Sequence, residues 1–80
     1  MGEREKIMVE GLLGRKQREM DALEIKIERC QKDVAYYSFP AMGIDSIDAD
    51  ATLQAAQELK ALLDQRLTLK AEIKKLQGEL

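Results

Sequence analysis

The sequence predicts an all-α fold, an antiparallel two-helix coiled-coil hairpin, and three observations lead there. Apolar side chains recur at alternating steps of three and four along both halves of the chain, the period of a helix that buries one stripe. Between the halves lies a single stretch of residues unsuited to a continuing helix, SFPAMGIDSIDAD from Ser38 to Asp50. Finally, Lys, Glu, Leu, Ala and Gln dominate, and the aromatics are limited to Tyr36, Tyr37 and Phe39, a balance that suits long helices better than a globular α/β enzyme.

The first helix is expected over about residues 3–37. Its seam places Leu13, Met20, Ile27 and Val34 at heptad position a, and Val9, Lys16, Leu23, Cys30 and Tyr37 at position d. Gly11 and Gly14 fall outside this seam, and each costs roughly 1 kcal/mol against alanine, so fraying or a bend is expected there.

The turn is expected over 38–48. Pro40 lacks a backbone donor and disfavours helical geometry at Phe39, so the first helix should stop near Ser38. Gly43 offers the left-handed conformations a chain reversal needs, and Asp48 or Asp50 can cap the helix that follows.

The second helix is expected over about 49–78. Thr52, Leu59, Arg66, Ile73 and Leu80 occupy a, and Ala55, Leu62, Leu69 and Leu76 occupy d. The two seams can be laid antiparallel so that paired numbers sum to 89: Ile27 with Leu62, Cys30 with Leu59, Leu23 with Arg66, Lys16 with Ile73, and so on to Val9 with Leu80. Every layer then joins an a to a d, and no layer brings two charges together. Lys16 and Arg66 interrupt the apolar seam, and each can lean toward an acid on the other helix, Lys16 toward Glu72 and Arg66 toward Glu24. Such residues snorkel their charge to water and also penalise slipped registers.

Leu53, Ala56, Leu63 and Leu67 form a second stripe on helix 2, beyond the seam. A two-helix hairpin leaves it in water, so the expectation is an interface, with two hairpins dimerising into a four-helix bundle. Tyr36, Phe39 and Met42 gather at the turn end and are candidates for a partner hot spot. Arg15, Lys16, Arg18, Lys70, Lys74 and Lys75 fall in one zone of the rod, with Arg15, Arg18, Lys74 and Lys75 as candidate phosphate contacts. Interspersed Glu10, Glu19 and Glu72 and the absence of nearby aromatics weaken that reading. Asp45, Asp48 and Asp50 crowd the turn without the D-x-D-x-D-G order of a calcium loop, which leaves capping as their role.

Eighty residues form one small domain, 1–80, in the size range where a single core rarely gives a monomer more than a few kcal/mol. The net charge of −2 favours neither a strongly basic nucleic-acid binder nor an acidic tail. Histidine is absent and Cys30 is the only cysteine, so the commonest general base is missing and a tetrahedral zinc site lacks ligands. Cys30 reads as a small core residue. No catalytic residue, cofactor or metal is expected, and no apolar run is long enough for a membrane span. The function expected is a non-enzymatic protein-protein interaction module of the cytoplasm: an adaptor, assembly subunit or small chaperone. It would associate with itself or with a larger protein partner. The alternative is a small nucleic-acid-associated regulator using the basic zone.

Overall fold

A computed structural model describes residues 2–39 and 43–80. Helix α1 spans Glu3–Ser38, a 3-10 turn covers Ile44–Ser46, and helix α2 spans Ala49–Gly78. The helices run side by side as a hairpin 63 Å long and only 15 × 13 Å across.

Among the described residues the buried ones are Leu23, Ile27 and Cys30 of α1 and Ala55, Leu62 and Leu69 of α2, all of them seam positions. Met20, Leu59 and Ile73 pack against this core from neighbouring layers. Two cross-helix ion pairs fix the direction and register. Lys16 Nζ lies 2.8 Å from Glu72 and Arg66 Nε 3.8 Å from Glu24, pairs whose numbers sum to 88 and 90, on either side of 89. The core is thin, because a helix with one neighbour can cover only one stripe. Even its best-covered side chains keep 3–9% of their surface exposed.

Two expectations fail at the edges. Helix α1 is not frayed at Gly11 and Gly14 but stays helical through both. Their cost of about 1 kcal/mol each is absorbed by a long helix held along its seam. Leu80 lies beyond the end of α2 and is 51% exposed, so the outermost layer, Val9 with Leu80, is not closed.

The reversal is organised by Gly43 and Asp48. Gly43 adopts φ 98°, a conformation that a side chain would strain, and its carbonyl accepts the Ser46 N–H at 3.1 Å. Asp48 joins the two helices. Its N–H donates to the Tyr37 carbonyl at 3.3 Å, one of the acceptors left open where α1 ends. Its carboxylate accepts the Ala51 N–H at 2.9 Å, and its carbonyl accepts the Thr52 hydroxyl at 2.7 Å. Asp48 is therefore the cap, and Asp50 lies inside the first turn of α2, where it meets only the helix dipole. Pro40, Ala41 and Met42, expected in the turn, lie outside the described residues.

Asp48→Ala should lower stability by about 1 kcal/mol in urea or thermal unfolding, and Asp50→Ala by less. Equal losses for the two would remove Asp48 as the distinguishing cap.

Candidate interaction surface

Each face of the rod follows from what the seam leaves outside. On α2, Leu53, Leu63 and Leu67 are 59%, 43% and 64% exposed, and Ala56 between them is also exposed. They occupy one flank at steps of three, seven and four, with Lys60, Lys70 and Lys74 filling the same flank. Lys60 donates to Asp64 at 2.8 Å, and this hydrogen bond raises its pKa. Both partners are well exposed, so the pair adds little to stability.

The opposite side of the hairpin is a shallow groove. Glu19, Ala22 and Lys26 of α1 line it together with Gln65, Thr68 and Glu72 of α2. The leucine flank of α2 consequently shares the other side with the flank of α1 that carries Glu10, Asp21, Glu24 and Glu28. From the sequence Glu10 and Glu24 are named singly but the row is not, although Asp21, Glu24 and Glu28 follow at steps of three and four. It became meaningful only once the helices were paired, because pairing sets it beside the leucines.

The two charged seam residues behave as tethers. Lys16 is half-buried and reaches both Glu72, at 2.8 Å, and Glu19, at 3.9 Å. Its pKa is raised, chiefly by the hydrogen bond to Glu72, against an opposing effect of desolvation. A raised lysine pKa stabilises the folded state throughout neutral pH, and the contribution is lost as pH climbs above the ordinary lysine range. Cys30, 3% exposed, donates from Sγ to the Ala55 carbonyl at 3.1 Å. Burial, followed by the carboxylates of Glu58 and Asp33, pushes its pKa up, which keeps it a thiol.

At the turn end Tyr36 and Phe39 are exposed, while Tyr37 closes the seam with its ring edge-on to Tyr36 at 5.3 Å between centroids. Met42, the third hot-spot candidate, lies outside the described residues. Ile44 and Ile47 are exposed at the same end and enlarge its apolar character. They are not singled out in the sequence analysis, since they belong to neither helical seam.

The basic zone is brought to one end of the rod but not onto one face. Lys70 and Lys74 lie on the leucine flank, whereas Arg15 and Lys75 lie on the groove side and Arg18 on the outer surface of α1, its guanidinium reaching back to Gly14. Lys16 is engaged with Glu72 and Glu19. Among the described residues no group of three or more histidine, cysteine or acidic side chains could hold a metal ion, and no helix is long and apolar enough to cross a membrane. No family model, curated protein or solved structure matches the chain.

Proposed function

We propose that this hairpin is a non-enzymatic helix-to-helix interaction module, and that the flank carrying Leu53, Ala56, Leu63 and Leu67 is its binding surface. The observation that carries this reading is three leucines on one flank of α2, each about half exposed, beside a core too thin to bury any large side chain fully. Self-association into a four-helix bundle answers both features, since it gives every helix a second neighbour. Covering the six leucines of two copies is worth on the order of 5–10 kcal/mol, the same scale as the entropic cost of association. The leucines therefore drive a modest dimer, and the charges around them influence how it forms. A coiled-coil seam within each hairpin and a reducing, cytoplasmic setting for the free thiol of Cys30 belong to the same reading.

Leu63→Glu with Leu67→Glu in one chain places two charges in the surface while leaving the seam intact. Light scattering and circular dichroism should find the wild type dimeric and the variant monomeric, helical and less stable. A variant that stays dimeric with unchanged stability would contradict the proposal. A wild type that is already monomeric would remove self-association and leave the flank as a surface for a different protein.

A second reading, contact with nucleic acid, is favoured by the crowding of Arg15, Arg18, Lys70, Lys74 and Lys75 at one end of the rod. It is the weaker one, because these cations point to different sides. Titration of random duplex with increasing salt tests it: a steep fall in affinity supports it, and no binding at low salt removes it.

A further inference from the structure

Two hairpins can bring their leucine flanks together in two symmetric ways. A two-fold axis along the rod lays each α1 over the partner's α2, with both turns at the same end. A two-fold axis across the rod lays α1 on α1 and α2 on α2, with the turns at opposite ends. The leucines permit either arrangement. The charges do not.

Along α1, the flank that shares the leucine side runs from Glu3 to Ser38 in steps of four and three. It carries Glu3, Glu10, Asp21, Glu24 and Glu28 and no lysine or arginine in the row itself, although Arg18 Nη1 reaches back to 3.6 Å from where a Cβ on Gly14 would stand. The corresponding flank of α2 carries Lys60, Lys70 and Lys74 among its leucines, with no acid. The crosswise arrangement opposes acid to acid and lysine to lysine. The lengthwise arrangement lays the acidic row over the lysine row, twice over by symmetry, with one acid–lysine pair level, and the rule that opposed residues sum to about 89 then holds between chains as well as within one. Glu28 comes level with the partner's Lys60, within about one residue or 1.5 Å of rise. Ala35 comes level with the partner's Leu53, and Gly14 with the partner's Lys74. Asp21 meets the partner's Leu67, one helical turn from the partner's Lys70. That layer is the poorest of the set.

Resting on self-association as proposed above, we infer that the occupant of the leucine flank is a second copy related by a two-fold axis along the rod. The acidic row of α1 covers the lysine and leucine row of the partner's α2. Charge complementarity here selects orientation rather than adding much affinity, as is usual for pairs at a solvated rim.

A spin label at Asp45→Cys, on the exposed turn, reads the arrangement directly, since buried Cys30 takes no label. In the dimer the lengthwise axis places the two labels within about 30 Å, the width of a bundle whose helices are 8–10 Å apart. The crosswise axis separates them by most of the 63 Å rod. A long distance in a dimer would overturn this inference and leave self-association standing, whereas a monomeric wild type would overturn both. Lys60→Glu gives a second readout without a label. In the lengthwise dimer it faces the partner's Glu28, so the dissociation constant should rise roughly tenfold, and Glu28→Lys in the same chain should restore it. An unchanged or lower constant for Lys60→Glu contradicts the lengthwise axis, because the crosswise dimer sets position 60 against the partner's lysine row, where a carboxylate relieves repulsion.

Discussion

The layered contact between the seams of α1 and α2 is the interaction on which everything else in this molecule depends. A helix of this length is only marginally stable alone in water and gains most of its stability from burying one face. Leu23, Ile27 and Cys30 against Leu62 and Leu69 supply that burial near the middle of the rod. The pairs of Lys16 with Glu72 and Arg66 with Glu24 sit where charge interrupts the seam, so a slip of one turn would bury both cations away from their acids. Asp48 then ties the ends together by bonding to Tyr37 on one side and to Ala51 on the other.

Much of this was legible in the sequence because helical periodicity is a strong signal over long segments. The seam residues read from spacing alone include all six buried ones, and the tethering of Lys16 and Arg66 followed from matching two seams read separately. What was not legible had physical reasons. The cost of Gly11 and Gly14 is local, while the packing that outweighs it is spread along a whole helix, so a local reading overstates fraying. Leu80 keeps the period but lies past the last turn of α2, and periodicity carries no information about where a helix ends. Asp48 and Asp50 are equivalent as cap candidates by residue type, and only backbone geometry separates them. The acidic row of α1 looked like an ordinary solvated face until antiparallel pairing set it beside the leucine flank.

Two helices enclose no interior, and that geometric fact connects fold to function. The same narrowness that leaves the core partly wet leaves Leu53, Leu63 and Leu67 uncovered, so the surface available for binding is a consequence of the architecture rather than an addition to it. A second copy, as proposed, would supply neighbours to both helices at once. On that side the acids lie along α1 and the lysines along α2, the distribution on which the proposed lengthwise pairing rests. Nothing comparable is seen on the groove side, where Glu19 and Lys26 of α1 alternate in sign.

The central claim, an intramolecular hairpin in the register that sums to 89, can be tested with one substitution, because the chain already supplies half of the cross-link. Cys30 and Leu59 share a layer, and the Ala55 carbonyl that Cys30 touches points along α2 toward Leu59. With an oxidant that reaches buried thiols, Leu59→Cys should therefore pair with Cys30, and the product should run as a single cross-linked chain under denaturing, non-reducing conditions. A covalent dimer as the main product would show that the seam forms between chains, and oxidation of both thiols without a bond between them would contradict the register.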